Sequence, residues 1–346
     1  MVHYPLVGIL VPHRKTRSRV LKLYQFHHNL PLNLFAFSQS DILWKKRKIT
    51  GLCPIGNKWK EVVLPFPHAV YNRCYNKKAT TVERLNNIIG GDKCFNCINW
   101  LNKWKVFNLL IQSNLRRHIP DTFLINKVNV SELVKKYKLV YVKPIYGYHG
   151  NRVYRLELKE NGDIYISLQS LAPRFICRRN EDIQEKLAKL LGENIYIVQK
   201  GIRSSQINNK NYDIRALVQK DINGKWTVST MVCRVANRLY FNTGVYDSIY
   251  DAGAILDLIF PLKKMKEATI KSINKISVTA SQALETNMGL LGEVSVDFVL
   301  DEDLNLWIIE INGKPQKSIY KDIKNNKYEQ IIHRRPIEYA YYLSIH

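Results

Sequence analysis

Two carboxylates and one amide in the last sixth of the chain, Asp297, Glu310 and Asn312, have the residue types and spacing of a divalent-cation site. They lie in two short segments rich in β-branched and aromatic residues. A polar turn over residues 301–305 separates the segments, which predicts a β-hairpin. Facing carboxylates repel each other unless a cation lies between them, and Mg²⁺ typically takes one or two carboxylates together with substrate phosphates.

The register of this hairpin decides whether the carboxylates meet. Pairing Leu300 with Trp307 across the turn places Asp297 opposite Glu310, because side chains alternate between the two faces of a strand. The opposite face is then predicted to be entirely apolar and to consist of Val294, Val296, Phe298, Leu300, Trp307, Ile309 and Ile311. As metal ligands, the three polar residues are expected to have no structural duty. The alternative is the solvated outer face of an edge hairpin.

A second candidate site follows a predicted strand that ends at Lys143. The loop after it contains Gly147 and Gly150. Glycines let backbone N–H groups approach phosphate oxygens, and a neighbouring lysine supplies positive charge. The loop matches neither a P-loop nor a dinucleotide fingerprint, and a plain hairpin turn explains it equally well. His149 and Arg152 are further candidates for phosphate contacts, with ordinary surface charge as the alternative.

Polar residues also lie at the ends of three other predicted strands. One strand ends at Gln199 and enters a linker whose backbone can bond a purine edge. Arg215 begins a further strand and Arg234 ends its partner. An arginine pair can hold phosphates or a carboxylate bidentately, but Asp213 also allows a simple surface ion pair. The loop at residues 242–244 can reach the same site.

The elements that must position these residues form an α+β pattern. Asn180 is the predicted N-cap of one helix and Gly192 its stop signal. Apolar periodicity predicts helices over residues 103–112, 180–191, 263–287 and 329–342. Strands are predicted over residues 4–11, 139–143, 153–158, 163–167, 196–199, 214–220 and 226–234.

Positive charge is concentrated in the front half of the chain. The 346 residues carry a net charge of +24, and residues 1–100 hold 16 Lys and Arg against 4 Asp and Glu. The run Lys45–Lys48 is the densest group. Such an imbalance suggests an anionic partner, which can be nucleic acid, an anionic polymer or a phosphate-bearing substrate. The alternative is a solvated, lysine-rich surface with no partner.

Cysteine usage and hydropathy limit the cellular setting. The N-terminal segment lacks the features of a signal peptide, so the six cysteines are expected to be reduced thiols. Cys94 and Cys97 form a lone C-x-x-C pair, which Cys53 and Cys74 could complete as a zinc site, although structural zinc sites usually show paired spacing. No apolar run approaches the ~20 residues of a membrane span. A cytoplasmic protein is expected.

The motifs occur in an order that resembles the YheC/YheD-type ATP-grasp family, a family associated with the endospore coat of spore-forming bacteria. The resemblance covers roughly residues 95 to 345. It rests on Lys103-Trp104, Leu139–Pro144, Asp213-Ile-Arg215, Arg234-Val-Ala236, Gly292–Asp297 and Trp307–Pro315. It implies an α+β ATP-grasp fold, with two α+β subdomains that clasp ATP, over residues 99–346. A smaller, basic N-terminal α/β domain over residues 1–98 would precede it.

The resemblance also implies the ATP-binding residues. These are Lys103, Lys143, Gly147, His149, Gly150, Gln199, Lys200 and Ile202. The two lysines would contact the phosphates, the glycine loop would form a flexible lid, and the linker after Gln199 would hold adenine. Related domains commonly have Glu near this linker, so Gln199 is a departure from the family pattern.

The metal and catalytic residues follow from the same resemblance. Asp297, Glu310 and Asn312 would bind Mg²⁺, with two ions expected and Glu310 bridging them. Arg215 and Arg234 would stabilise charge on the transferred phosphoryl group and on an acyl phosphate.

The implied activity is an ATP- and Mg²⁺-dependent carboxylate–amine ligase with an acyl-phosphate intermediate. Its unidentified carboxylate or amine substrate is expected to be anionic, such as an acidic peptide, a polymer or a phosphorylated small molecule. The alternative is a non-catalytic ATP-binding or structural spore-coat-associated protein. A third interpretation, a nucleic-acid binder, rests on charge alone and is disfavoured. The expected setting is cytoplasmic with an association with spores.

Overall fold

Three β-sheets organise the part of the chain that the structure describes, which is residues 4–26, 29–74, 80–98, 100–147, 150–323 and 328–346. The structure is a computed structural model. The sheets follow one another along the chain, and each is covered by helices. The predicted α+β class is confirmed.

The first sheet lies in the N-terminal part and is mixed, with three parallel and three antiparallel strand pairs among its described residues. Its strands are β1 (Leu6–Val11), β2 (Asn33–Ser38), β3 (Ile42–Leu43), β4 (Lys48–Ile55), β5 (Lys58–Pro65), β6 (Ala69–Asn72) and β7 (Cys94–Phe95), in the order β3-β4-β2-β1-β6-β7 with β5 on β4. All six residues of β1 are buried. Helix α1 (Arg17–Gln25) contributes to the core on one face and α2 (Thr80–Ile89) to the core on the other. This explains the uninterrupted apolar run in β1.

The second sheet is antiparallel and carries the glycine loop. Its strands are β8 (Thr122–Leu124), β9 (Leu139–Pro144), β10 (Tyr154–Leu158), β11 (Ile164–Leu168), β12 (Pro173–Cys177) and β13 (Tyr196–Lys200), in the order β12-β11-β10-β9-β13-β8. Helices α4 (Val130–Tyr137) and α5 (Ile183–Leu191) pack on it and share one apolar core with it. The sheet pairs β9 with β13, and so brings the Lys143 side chain within hydrogen-bond distance of the Gln199 side chain.

The third sheet carries the predicted metal ligands. Its strands are β14 (Gln206–Ile207), β15 (Lys210–Lys220), β16 (Trp226–Ala236), β17 (Tyr246–Asp251), β18 (Glu293–Leu300) and β19 (Leu306–Asn312), in the order β17-β16-β15-β18-β19 with β14 on β15. Helices α3 (Lys103–Ile111), α6 (Ala252–Ile259) and α7 (Lys263–Met288) contribute to the core on one face. A 3-10 helix (Lys317–Asp322) and helix α8 (Glu329–Ile345) contribute to a second cluster on the other face.

In the first sheet the sequence located β1 but neither α1 nor α2, whereas in the other two sheets it located most elements but not all of their ends. Helix α5 begins at Ile183, three residues later than predicted, because Asp182 is its N-cap and accepts a hydrogen bond from the backbone N–H of Gln184. Asn180 is therefore not the cap. Gly192 does end the helix, as predicted.

A buried ionic network joins the first sheet to the third. Glu293 on β18 lies 2.6 Å from the Lys317 ammonium and accepts hydrogen bonds from the Tyr71 hydroxyl at 2.5 Å and the Gln219 amide at 3.0 Å. Burial raises the pKa of Glu293, but Lys317 and these donors outweigh burial and hold the pKa below its ordinary value. The core of the first sheet also contains residues of α8, namely Ile337, Tyr339, Ala340 and Leu343. A domain boundary at residue 98 stays a prediction.

Within the described ranges, no helix combines the length and apolar character of a membrane-crossing segment.

Candidate active site

Two arginines and two aspartates form a buried cluster at the centre of the third sheet. Arg215 donates from Nε and Nη2 to the two carboxylate oxygens of Asp297, at 2.7 and 2.6 Å. Arg234 binds both oxygens of Asp213 and also donates to Asp297 at 3.1 Å. The register of the sheet produces this arrangement, because Asp213 pairs with Arg234 and Arg215 pairs with Asp297 on neighbouring strands. None of the four residues is more than 8% exposed.

The cluster favours the charged forms of Asp297 and Arg234. Burial raises the pKa of Asp297, but Arg215 and Arg234 outweigh burial and hold that pKa below its ordinary value. Burial likewise opposes the charge on Arg234, yet Asp213 and Asp297 raise its pKa above the ordinary value. The bonds through Nε and Nη2 fix the planes of both guanidinium groups. The arginines are therefore already oriented before any ligand binds.

The β18–β19 hairpin brings the predicted metal ligands together. Asp297 lies opposite Glu310, and Ser295 lies opposite Asn312, so the two carboxylates and the amide occupy one face. A β-bulge interrupts the register between Asp297 and the next residue, and Ile309 is the extra residue on β19.

The bulge corrects the predicted register at the turn. Leu300 pairs with Leu306, not with Trp307, and the extra residue restores the predicted pairing only at the carboxylates. As a consequence, Leu306 and Ile308 face the core, whereas Trp307 and Ile309 do not belong to it. The Trp307 indole donates to Asp301 in the turn at 2.8 Å. The prediction that Trp307 and Ile309 lie on the apolar face is wrong.

Lys103 connects the β18–β19 hairpin to the glycine loop. It is the first residue of α3, which is capped by Asn102 through a bond to the backbone of Lys105. Its ammonium lies 3.1 Å from Glu310 and donates to the carbonyl of Gly147 at 3.2 Å. A cation in this position can neutralise phosphates that bridge the two elements.

Lys143 on β9 and Gln199 on the neighbouring strand β13 form a second polar pair. The Lys143 ammonium donates to Oε1 of Gln199 at 2.7 Å, and Nε2 of Gln199 donates to Thr122 at 3.0 Å. Burial lowers the pKa of Lys143 to about 8, against the opposing effect of Glu310 and with the help of Lys103. The neutral amide of Gln199 adds no charge that would raise this pKa.

The glycine loop docks on a loop of the third sheet. Gly150 has a φ of +67°, and a Cβ atom built on it would lie 2.3 Å from Nδ2 of Asn242. Thr243 in the same loop donates to Asp213 at 2.7 Å. The glycine loop is therefore linked through residues 242–243 to the buried arginine–aspartate cluster.

These residues surround one cleft of about 600 Å³ between the second and third sheets. Among the predicted site residues, those that line it are Lys103, Lys143, Gly147, Gly150, Gln199, Lys200, Ile202, Arg215, Arg234, Asp297, Glu310 and Asn312. The predicted residue His149 lies outside the described residues. The Lys200 ammonium lies over the Trp307 ring, 5.5 Å from its centroid. Every described residue of the predicted set therefore borders one space.

The sequence did not single out several residues that line the same cleft, among them Trp100, Leu101, Tyr246 and Lys314. Burial lowers the pKa of Lys314 to about 8, and its ammonium donates to the carbonyl of Cys74 in the N-terminal part. Its place two residues after Asn312 was the available signal. The contact with Cys74 could not be read from the sequence because 240 residues separate the two.

The donor set suits Mg²⁺ bound together with phosphates. Two opposed carboxylates and one amide oxygen match the ligand types of this cation, which commonly leaves its other positions to phosphate and water. The buried Nδ2 atom of Asn312 has no hydrogen-bond partner. Within the described residues, no group of three or more His, Cys, Asp and Glu side chains forms a metal site on its own. The residues present therefore fit Mg²⁺ only together with its substrate.

The sequence model of the YheC/D like ATP-grasp family matches residues 91–343. The chain belongs to this family. The resemblance seen in the motifs is confirmed, and the two α+β sheets around the cleft are the two halves of an ATP-grasp fold.

Two relatives from Bacillus subtilis (strain 168) match most of the chain. The chain is 27% identical over 367 residues to endospore coat-associated protein YheD, with 98% of this chain and 79% of YheD covered. It is 24% identical over 298 residues to endospore coat-associated protein YheC, with 82% of this chain and 80% of YheC covered.

Solved structures share the fold at low identity. ATP-grasp ligase PsnB, complexed with a phosphomimetic variant of minimal precursor, Mg and ADP, superposes with a TM-score of 0.58 at 15% identity, over 97% of this chain and 99% of PsnB. PsnB with precursor peptide PsnA2 and AMPPNP gives a TM-score of 0.55 at 15% identity, over 98% of this chain and 99% of PsnB. The family and the fold support an ATP-dependent ligase of the carboxylate–amine class in general terms.

Proposed function

We propose that this YheC/D-like protein is an ATP- and Mg²⁺-dependent carboxylate–amine ligase that works through an acyl phosphate. The observation that carries the proposal is the Asp297–Glu310 pair, which lines one cleft together with Arg215, Lys103 and Lys143. Phosphoryl transfer needs positioned charge more than a nucleophilic side chain. This cleft supplies such charge from five fixed groups.

Each group has a separate task in the proposed reaction. Lys103 and Lys143 bind ATP phosphates, and Arg215 and Arg234 stabilise the negative charge that develops on the transferred phosphoryl group. Asp297, Glu310 and Asn312 would hold Mg²⁺, which would supply positive charge against the phosphates. The substrate carboxylate would attack the γ-phosphorus and expel ADP. An amine would then attack the acyl carbon, displace phosphate and lose a proton to form the amide.

The substrate in this proposal is a peptide or polymer that carries a carboxylate. PsnB has been solved with a precursor peptide, and the chain shares its fold over nearly the whole length. The proposed setting is the spore, because YheD and YheC are both named for the endospore coat. Both statements go beyond fold and family and are part of the proposal.

Calorimetric titration of ATP in the presence of Mg²⁺ tests the proposal. Mg²⁺-ATP is expected to bind and to raise the melting temperature, because a ligand selective for the native state stabilises it by mass action. The Glu310→Gln variant is expected to keep the fold and lose hydrolysis of ATP. If Mg²⁺-ATP does not bind to the unsubstituted chain, the ATP-grasp function is excluded. Binding with no turnover on any carboxylate would favour the non-catalytic alternative.

A further inference from the structure

Ser295 stands directly across the hairpin from Asn312, on the face that carries the proposed metal ligands. It is fully buried, with 0% of its surface exposed, and its hydroxyl has no hydrogen-bond partner. Nδ2 of Asn312 is also buried and has no partner. An acceptor and a donor that both lack partners therefore face each other across neighbouring strands, at the ~5 Å Cβ separation typical of directly opposed residues.

Such an arrangement carries a cost that a native structure normally avoids. A buried donor without a partner loses its hydration and gains nothing in return. Leu217, which pairs with Ser295 on the neighbouring strand β15, is apolar and offers no hydrogen bond. The one polar side chain directly opposed to Asn312 within its hairpin is Ser295.

The orientation of the Asn312 amide matters for the cation. Only its oxygen can bind a metal, and the NH₂ group would repel one. The oxygen can point to Asp297 and Glu310 at low cost only if the buried NH₂ group has an acceptor behind it. A serine hydroxyl provides that acceptor, and it can rotate to suit the amide.

We propose that Ser295 is a positioning residue for the cation site, accepting a hydrogen bond from Nδ2 of Asn312 and so turning Oδ1 towards the metal. The inference rests on the proposed function, since it assigns a role at the Mg²⁺ site. Ser295 does not touch the metal or ATP. Its effect is exerted through Asn312, as the hydrogen-bonded neighbours of metal ligands commonly act.

The test measures metal binding without turnover. Mn²⁺ serves as the probe, and free Mn²⁺ is counted by electron paramagnetic resonance with the chain saturated by the non-hydrolysable analogue AMPPNP. Ser295→Ala is expected to weaken Mn²⁺ binding about 10- to 100-fold, the usual effect of removing such a neighbour. Ser295→Cys, which fills the space but accepts hydrogen bonds poorly, is expected to weaken binding as well.

Helix α7 offers a matched control. Ser277 is also 0% exposed and its hydroxyl also lacks a partner, but it lies in the core under the opposite face of the sheet. Ser277→Ala is expected to leave Mn²⁺ affinity unchanged. Equal affinity for Mn²⁺ in Ser295→Ala and the unsubstituted chain would overturn the inference, as would an equal loss in Ser277→Ala.

A double substitution separates positioning from packing. In an Asn312→Asp background either side-chain oxygen can bind the metal, so the orientation no longer matters. Ser295→Ala is then expected to cost much less than in the unsubstituted chain. An undiminished loss in that background would overturn the inference in favour of a packing role. If the unsubstituted chain binds no Mn²⁺ with AMPPNP, the proposed function itself fails, which is a distinguishable result.

Discussion

Asp297 has a structural role in addition to the proposed one at the metal site. The sequence predicted a metal ligand without structural duty, but Arg215 and Arg234 both bind this carboxylate in the buried cluster. The role of Asp297 as a metal ligand stays a prediction, whereas the expectation that it has no structural duty is wrong. The reason is its distance along the chain from its partner, since 82 residues separate Arg215 from Asp297 and only the register of β15 with β18 brings them together. Glu310 fits the prediction better, because its side chain is 30% exposed and its ion pair is with Lys103.

This contrast predicts different stabilities for two conservative substitutions. Asp297→Asn leaves two buried arginines short of a counter-charge and is expected to cost about 3–5 kcal/mol of unfolding free energy. Glu310→Gln breaks a partly exposed pair and is expected to cost about 1 kcal/mol or less. Urea denaturation followed by circular dichroism measures both. Equal losses would contradict the structural duty assigned to Asp297. Both variants are expected to lose ATP turnover.

Lys143 predicts a pH dependence of ATP affinity. Burial lowers its pKa to about 8, and only the charged form attracts phosphate. Affinity for Mg²⁺-ATP is therefore expected to be full below pH 8 and to fall as pH rises past it. In Gln199→Glu, the group that accepts the hydrogen bond from Lys143 becomes a carboxylate. Its negative charge should raise the pKa of Lys143, so the decline in ATP affinity should move to higher pH. Calorimetric titrations between pH 7 and pH 10 measure this, and an unmoved decline in the variant would assign it to another group.

At the scale of elements, the sequence predicted the hairpin and its carboxylate pairing but missed the bulge. Alternation of apolar residues has a period of two, and one inserted residue reverses every face beyond it. Trp307 and Ile309 are apolar, so the alternating pattern assigned them to the core. The sequence of the turn does not reveal the extra residue, because the apolar pattern alone allows Leu300 to pair with either Leu306 or Trp307. Only backbone pairing distinguishes the two registers.

The contact between the glycine loop and the 242–244 loop predicts an effect of Gly150→Ala. The added methyl group would meet Asn242, and the φ of +67° is unfavourable for alanine. The loops are expected to separate and affinity for Mg²⁺-ATP to fall. Gly56→Ala is a matched control, since Gly56 has a φ of +57° but nothing within 4 Å of an added Cβ. Equal affinities in the two variants would show that the loop contact does not matter for ATP.

At the scale of the whole molecule, the first sheet and the ATP-grasp part are held together by buried polar groups as well as by α8. Tyr71 of the first sheet donates to Glu293, which lies on the same strand as Asp297. The sequence predicted the N-terminal unit by its charge and its Pro-punctuated pattern, but nothing local in the sequence links residues 71 and 293. The N-terminal part therefore supports the strand that carries Asp297, one of the proposed metal ligands.

Tyr71→Phe tests that support. Removal of the hydroxyl leaves a buried oxygen of Glu293 without its donor at 2.5 Å, and a cost of about 1–3 kcal/mol is expected. Tyr4→Phe is the control, because Tyr4 is 48% exposed. Urea denaturation measures both variants. A single transition that moves as a whole in Tyr71→Phe would show that the two parts unfold together, whereas a shift confined to a separate early transition would show that the N-terminal part unfolds independently.

The basic run Lys45–Lys48 lies at the β3–β4 end of the first sheet, whereas β7 at the other end leads to Asn96, which donates to Glu293. None of the four residues lines the ATP cleft. A charge placed so far from ATP acts by attracting a large anionic partner, and salt screens it over about 8 Å at physiological ionic strength. The run is therefore expected to affect an extended acidic substrate and not ATP.

Neutralising these four residues to Gln is expected to weaken the binding of fluorescent polyglutamate several-fold and to flatten its salt dependence, with Mg²⁺-ATP affinity unchanged. Anisotropy titrations over a range of salt concentrations measure the first effect, and calorimetry measures the second. A matched variant neutralises four exposed lysines of α7, Lys263, Lys264, Lys271 and Lys275. It removes the same charge from another surface. An equal loss of polyglutamate affinity in both variants would mean that this affinity depends only on the net charge of the protein. A loss confined to the first variant would identify the β3–β4 end of the first sheet as the surface that an acidic substrate meets.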